Sequence, residues 1–341
     1  MEEGPPRDDR EAAARESWLR QRLAELRHLP TLPGVHLTEE IERLQARLKR
    51  LQHESRRHDT WVTYQIVKHK DRPRTRDYVD AFIEGFEELK GDRLRADDPA
   101  MVGGVGWFDG RSVVVVGHQK GRTLNEQTER NFGMAKPEGY RKAQRLFALA
   151  ERHRLAVLTF VDTPGAYPGV AAEEGGQGRA IAESLLAMAR LTVPVVCTII
   201  GEGGSGGALA LAVGDRVLMQ ENATYSVISP EGCAAILWRD ASFAPQAAEA
   251  LKPTASQLLS LGVIDVVIEE PRGGAHTSRE AAARNVRQAV AEALHELDGI
   301  APDERRRQRR ERFRQMGVWR EDPLAYTIPV PAELDGGPPR S

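Results

Sequence analysis

The stretch Pro194 to Leu211, PVVCTIIGEGGSGGALAL, limits what this chain can fold into more than any other. Val195 to Ile200 is apolar and rich in β-branched residues, which predicts a short strand buried on both faces. Five glycines follow within seven residues: Gly201, Gly203, Gly204, Gly206 and Gly207. A glycine inside a helix costs about 1 kcal/mol relative to alanine. Five of them where a helix should begin therefore imply unusual dihedrals or very close approach by something else. Such a turn presents backbone N–H groups that have no partner inside the helix, which suits a phosphate or a developing oxyanion.

Three motifs overlap at this turn. Gly201, Gly203 and Gly206 satisfy G-x-G-x-x-G, with Glu221 placed where a ribose-binding acid would sit. Gly203, Ser205 and Gly207 satisfy G-x-S-x-G, the elbow of a serine hydrolase, with His276 downstream as a possible base. The third reading is an oxyanion hole whose functional atoms are peptide N–H groups. A Walker loop is excluded, because no Lys-Ser or Lys-Thr pair follows the glycines. A tightly packed turn with no chemistry is the plain alternative.

The surroundings narrow these options. At 341 residues and 40% hydrophobic content the chain can bury one large core with extensions. A net charge of -2 gives no overall pull toward nucleic acid or membrane. Cys197 and Cys233 lie in apolar runs and read as small buried hydrophobes. His28, His36, His53, His58, His69, His118 and His153 have no ligand spacing, so no metal is expected on this chain. No apolar run approaches a membrane span and the polar, acidic N-terminus is unlike a signal peptide, so a soluble cytoplasmic protein is expected.

Taken in order, a charged N-terminal stretch gives way to a helix ending near Leu29. A second helix is expected from a Thr38 cap, with Ile41, Leu44, Leu48 and Leu51 on one narrow stripe. Tyr78 to Leu89 reads as an amphipathic helix presenting Phe82, Ile83 and Phe86. Val102 to Phe108, Asp109-Gly110 and Arg111 to Gln119 read as a β-hairpin. Pro137 opens a helix with Tyr140, Ala143, Phe147 and Ala150 on one face, and Leu155 to Val161 is a buried strand. That strand ends in Asp162-Thr163-Pro164-Gly165-Ala166-Tyr167-Pro168-Gly169, a rigid loop, and a helix from Gln177 to Leu191 follows. Two successive strand–loop–helix units place both glycine-bearing loops at the carboxyl ends of adjacent parallel strands, with a pocket between them.

Beyond the glycine turn the helix is short, ending at Gly214-Asp215. Strands at Arg216 to Gln220 and Thr224 to Ile228, then a helix from Ser229-Pro230, set a strand, strand, helix rhythm. It recurs in Val263 to Ile268 and the helix near Arg279 to Leu297. A dinucleotide-binding domain alternates differently and carries its fingerprint on the first strand, so that reading is set aside.

NFGMAKPEGYRKA (Asn131 to Ala143), FVDTPGAYPGVAAEEGGQ (Phe160 to Gln177), VVCTIIGEGGSGGALA (Val195 to Ala210) and TYSVISPEGCAAILW (Thr224 to Trp238) closely resemble, in order, the alpha subunits of bacterial acetyl-CoA carboxylase carboxyltransferase. The resemblance spans roughly Leu37 to Leu297. It implies an α/β, crotonase-like superhelix of repeated ββα units with an N-terminal helical extension. The domains it suggests are a variable extension (1–36), a helical segment (37–76), a carboxyltransferase domain (77–300), and a basic helix with a proline-rich tail (301–341).

In that family a carboxyl group passes from carboxybiotin, tethered to a carrier protein, to the methyl carbon of acetyl-CoA, giving malonyl-CoA for fatty acid synthesis. Both the biotin ureido oxygen and the thioester oxygen become oxyanions on the way. The resemblance assigns the N–H groups of Gly206 and Gly207 to the ureido oxyanion. Gly165, Ala166, Tyr167, Gly203, Gly204 and Ser205 would line the biotin pocket. No cofactor is bound covalently to the chain and no side-chain base is required, since the biotin nitrogen is expected to remove the methyl proton. The implied partners are a carboxyltransferase beta subunit in an alpha2beta2 heterotetramer, a biotin carboxyl carrier protein and biotin carboxylase. The beta subunit would bind the CoA substrate, carry the zinc and supply the second oxyanion turn. Under the rival hydrolase reading Ser205 is a nucleophile, and under this one it is a small residue whose hydroxyl caps the helix.

Asp303 to Glu321 carries seven arginines between Arg305 and Arg314. They could meet nucleic acid or an acidic partner; a solvated helix with Phe313, Met316 and Trp319 resting on a neighbour is the expected arrangement, and nucleic acid is not an expected partner.

Overall fold

The computed structural model describes Leu44 and residues 60–317. The chain divides into two compact units, Met1–Val62 and Thr63–Ser341, and the sheet with its covering helices belongs to the second. That unit runs α1 (Thr75–Phe82), β1 (Glu84–Glu88), β2 (Met101–Phe108), β3 (Arg111–His118), α2 (Leu124–Glu129), α3 (Pro137–His153) and β4 (Ala156–Thr163). Then come α4 (Val170–Glu174), α5 (Gln177–Arg190), β5 (Val195–Gly204), α6 (Ser205–Leu209), β6 (Arg216–Gln220), β7 (Thr224–Ser226) and α7 (Pro230–Trp238). They are followed by α8 (Ala244–Leu251), α9 (Ala255–Ser260), β8 (Val266–Ile268), α10 (Arg279–Asp298) and α11 (Pro302–Gln315).

The strands make one sheet in the order β1-β2-β3-β4-β5-β6-β8, with β7 paired to β5 off this path. β1, β2 and β3 are antiparallel neighbours, and β3, β4, β5, β6 and β8 are parallel. The expected hairpin is present: Phe108 pairs with Arg111, and Asp109 and Gly110 both take positive φ, 49° and 76°, as a two-residue turn between twisted strands requires.

Continuous apolar strands are explained by cover on both faces. Val114, Val116, Val157, Val161, Val195 and Ile199 join one core beneath α3 and α5, with Tyr140, Phe147 and Met188. The alternate residues Val113, Val115, Leu158, Phe160 and Val196 join the other beneath α1 and α10, with Tyr78, Phe82 and Val286. Pro137 stands at the start of α3, and Tyr140, Ala143, Phe147 and Ala150 are fully buried as their spacing predicts.

The helix expected over Tyr78 to Leu89 is corrected. Helix α1 stops at Phe82, and Glu84–Glu88 is an edge strand that pairs with β2. Three apolar residues in five positions fit either structure, and the partner strand decides. A Cβ on Gly104 would lie 2.1 Å from the Glu87 carbonyl oxygen, and one on Gly106 would lie 2.5 Å from Ile83, so the glycines of β2 are what admit β1. Strand β7 is also shorter than expected, ending at Ser226. Of the expected stripe Ile41, Leu44, Leu48 and Leu51, Leu44 is helical and buried, and the others lie outside the described residues, as do Thr38, Trp319 and the tail.

The arginine-rich segment also departs from a solvated helix. Phe313 does rest on the core, but Arg309 is among the most deeply buried side chains of the sheet unit. Its guanidinium donates to both oxygens of Asp215 at 2.9 and 2.6 Å and to the carbonyls of Met188, Leu191 and Val193. Asp215 in turn accepts the Val195 N–H at 2.8 Å. Arg305, also buried, donates to the carbonyls of Thr192, Leu297 and Ile300. α11 is therefore riveted to the start of β5, and Arg307, Arg310 and Arg314 are its exposed members.

Replacing Arg309 by leucine leaves the Asp215 carboxylate buried without its counter-charge, a loss of about 3–5 kcal/mol. The urea midpoint of Arg309→Leu should fall accordingly, whereas Arg314→Ala should stay within about 0.5 kcal/mol of the parent. Equal midpoints for the two variants would rule out the riveting role.

Candidate functional site

The loop that follows β4 is fixed from below. The Thr163 hydroxyl bonds with both the carbonyl and the N–H of Gly165, at 2.6 and 3.1 Å. The Tyr167 N–H donates to the Ala135 carbonyl at 3.0 Å, and the Gln177 side-chain amide donates to the carbonyls of Ala135 and Tyr167. Ala135 is itself delivered by a tight turn in which Asn131, Phe132 and Gly133 all have positive φ, at 46°, 56° and 82°. Backbone strain of that kind persists only where surrounding contacts enforce it.

The glycine turn lies directly on this loop. β5 runs past Ile200 to Gly204, and the helix α6 that follows has only five residues. A Cβ on Gly204 would lie 2.0 Å from the Pro164 carbonyl oxygen. On Gly207 it would lie 2.6 Å from the Ala166 nitrogen, 2.7 Å from the Gly165 carbonyl carbon and 3.0 Å from the Tyr140 hydroxyl. The close approach that the glycines imply is therefore made by the chain's own preceding loop. Gly206 differs: its nearest neighbour would be Ile181 at 3.6 Å, an ordinary contact, and the residue is partly exposed. Ser205 is exposed with φ 54°. Its hydroxyl makes no capping bond, Gly204 being the residue at the cap, which corrects that expectation.

Beside the turn opens an apolar cavity of about 420 Å³, with Ser205 and Gly206 on its wall next to Leu209, Tyr225, Val227 and Phe313. Gly165, Ala166, Gly203, Gly204, Gly206 and Gly207 are thus gathered at the carboxyl ends of β4 and β5. Tyr167 turns aside, its ring packed on Gly169 with the Lys136 ammonium 5.3 Å from the ring centre. His276 is not gathered there. Its ring stacks on His69 at 3.8 Å, near Arg72 and Glu270, and it shares neither a hydrogen bond nor the cavity with Ser205. A serine nucleophile would not find its base in His276.

Three residues at the site carry no spacing signal in the sequence. Lys120, just past β3, places its ammonium 2.7 Å from Asp162 and 2.6 Å from Glu202, the residues that precede the two loops. Burial opposes its charge, but the two carboxylates outweigh burial and its pKa is raised. His118, the last residue of β3, is completely buried, and neither ring nitrogen has a hydrogen-bond partner. Burial and then the Lys120 charge push its pKa down to about 3, against backbone groups of Gly207 and Phe160 that favour protonation. Tyr140 was legible as a core residue, but its unpaired hydroxyl at Gly207 was not.

Among the described residues no group of three or more His, Cys, Asp or Glu is placed to hold a metal ion, and no helix is long and apolar enough to cross a membrane. Both cysteines are free and buried.

The fold around this site is that of the crotonase-like carboxyltransferases. Transcarboxylase 12S, solved as a hexamer with methylmalonyl-coenzyme A, superposes with a TM-score of 0.54 at 21% identity over 66% of this chain and 41% of that one. A Pseudomonas malonate decarboxylase hetero-tetramer in complex with coenzyme A gives 0.53 at 20% identity over 63% and 86%. At those identities the likeness concerns the fold. Residues 11–317 match the family model described as acetyl co-enzyme A carboxylase carboxyltransferase-like. The acetyl-coenzyme A carboxylase carboxyl transferase subunit alpha of a Thermus thermophilus strain is 54% identical over 304 residues, 89% of this chain and 96% of the relative. That of an Azoarcus species is 51% identical over the same share of this chain and 95% of its own length. The chain belongs to this family of alpha subunits, components of a biotin-dependent carboxyltransferase.

His118 gives the unit a defined acid sensitivity. The residue titrates near 6.5 when unfolded and at about 3 when folded, so the unfolded state binds the extra proton between those values. Its contribution is complete above pH 6.5 and is lost as pH falls toward 3. Relative to His118→Phe, the wild type should lose about 2 kcal/mol of unfolding free energy between pH 7 and pH 5. Parallel stability curves for the two proteins would show that His118 does not titrate this way.

Proposed function

We propose that the carboxyl ends of β4 and β5 form the biotin half of a carboxyltransferase site that makes malonyl-CoA from acetyl-CoA. One observation carries the reading: two loops held backbone against backbone, with Ser205 and Gly206 on the wall of an apolar cavity and Gly207 buried next to them against the Gly165–Ala166 peptide. Biotin, delivered on a carrier protein, supplies the carboxyl group. The residues present suit it, since an apolar ring and aliphatic arm match the cavity and a urea oxygen matches peptide N–H donors.

The chain's own contribution is electrostatic. The N–H groups of Gly206 and Gly207 stabilise negative charge on the urea oxygen, and removal of one such donor typically raises a barrier by about 3–4 kcal/mol. Gly165, Ala166, Tyr167, Gly203, Gly204 and Ser205 are assigned to the pocket around it, with Tyr167 on its outer edge. A five-residue helix adds little macrodipole, so the individual peptide groups carry the effect. Their fixed position means that no reorganisation is needed as charge develops.

The acetyl-CoA half is assigned to a beta subunit, with zinc on that chain. An alpha2beta2 heterotetramer working with biotin carboxyl carrier protein and biotin carboxylase in the cytoplasm is the assembly we infer. Val170, Val227 and Ile236, each more than 70% exposed, follow the loops around the pocket and give such a partner apolar surface to cover.

The test is malonyl-CoA-dependent carboxylation of free biotin by the alpha chain alone, with the beta subunit, and with variants in that mixture. Only the mixture should be active. Ser205→Ala should retain substantial activity, and Gly207→Val, whose side chain would strike the Gly165–Ala166 peptide, should abolish it. A folded, assembled but inactive Ser205→Ala, or ester hydrolysis by the alpha chain alone, would overturn the reading.

A further inference from the structure

The segment Asn131 to Ala143 is a long motif whose side chains the carboxyl-transfer reading leaves without a task. Within it Tyr140 is fully buried, and its hydroxyl has no hydrogen-bond partner. An unpaired buried hydroxyl destabilises a fold, and phenylalanine would fill the same space without that cost. The place where this hydroxyl ends is informative. It lies 3.0 Å from the point where Gly207 would carry a Cβ, a point that the Ala166 nitrogen and the Gly165 carbonyl carbon crowd from the other loop.

A second unpaired group flanks the same residue. Both ring nitrogens of His118 are buried without partners, and the backbone of Gly207 is among the polar groups that act on the ring. Burial, then the Asp98 charge, raises the phenol's pKa, so the hydroxyl is a protonated donor throughout the neutral range. The Tyr140 hydroxyl from α3 therefore ends, unsatisfied, at the turn to which the reaction is assigned, with the His118 ring from β3 close to the same glycine.

We propose that Tyr140 is a positioning residue for the oxyanion turn: its phenol sets the separation between Gly207 and the Gly165–Ala166 peptide, and its hydroxyl donates to the backbone of that turn once biotin occupies the site. The proposal rests on the preceding reading of the turn. Tyr140 touches no reacting atom. Its effect passes through the aim of the Gly206 and Gly207 N–H groups, where small misplacements are costly.

The experiment compares wild type and Tyr140→Phe, each assembled with the beta subunit, by kcat and KM for biotin carboxylation and by the melting temperature of the complex. The expected result is a melting temperature equal to or about 2 °C above wild type, from relief of the unpaired hydroxyl. With it, kcat should fall about tenfold or more while KM for biotin stays within about threefold. A kcat within about twofold of wild type, whatever the KM, overturns the proposal. So does a loss of activity that tracks a lower melting temperature, which would make the phenol a packing element alone. An inactive wild-type mixture defeats the reading of the site itself and takes the proposal with it, whereas an active one leaves Tyr140→Phe to decide on Tyr140 alone.

Discussion

Parallel pairing of β4 with β5 is the constraint on which the site depends. The strands are in register from Val157 with Val195 to Val161 with Ile199, and then two steps along β4 match four along β5 before Thr163 meets Gly203. The extra length on β5 carries the glycine turn over the loop that leaves β4. It also separates the end of β5 from β6, so that β7 pairs there, Glu202 with Thr224 through Gly204 with Ser226. Gly204 can sit under the Pro164 carbonyl only because it lacks a Cβ. Most of the glycines at this turn answer to backbone contact, and Gly206 is the position left with room beside it.

Buried charges hold both ends of this arrangement. At the amino end of β5, Arg309 binds Asp215, which also accepts the Val195 N–H. At the carboxyl end, Lys120 bridges Asp162 and Glu202, and Arg72 reaches the Ile200 carbonyl while pairing with Glu270 at 2.5 Å. Such pairs add little net stability over apolar replacements, yet each is expensive to break. Their consequence here is placement. Loops fixed in this way present peptide N–H groups in a set direction before any charge develops, which is how an oxyanion site without a catalytic side chain can function.

Much of this was legible locally. The hairpin at Asp109-Gly110, α3 behind Pro137 and the burial of β4 and β5 follow from turn chemistry, capping and apolar pattern, which act over a few residues. The order of four long motifs also carried the family. Edge strand β1 was misread as helix because Phe82 and Phe86, four residues apart, fit both periods, and the choice falls to Gly104 and Gly106 on the neighbouring strand. The arginines of α11 were misread for a related reason: seven similar residues give no sign that Arg305 and Arg309 point into carbonyls at the ends of α5 and α10.

The sequence by itself determined the hairpin, α3, the buried strands β4 and β5, and the two glycine-bearing loops at the carboxyl ends of those parallel strands, because spacing and glycine content act along the chain. Only the tertiary structure decided which glycines meet backbone, that His276 is remote from Ser205, and that His118, Lys120 and Tyr140 converge behind the turn. Those outcomes depend on desolvation and contact between residues far apart in sequence, and neither quantity is encoded in any local pattern.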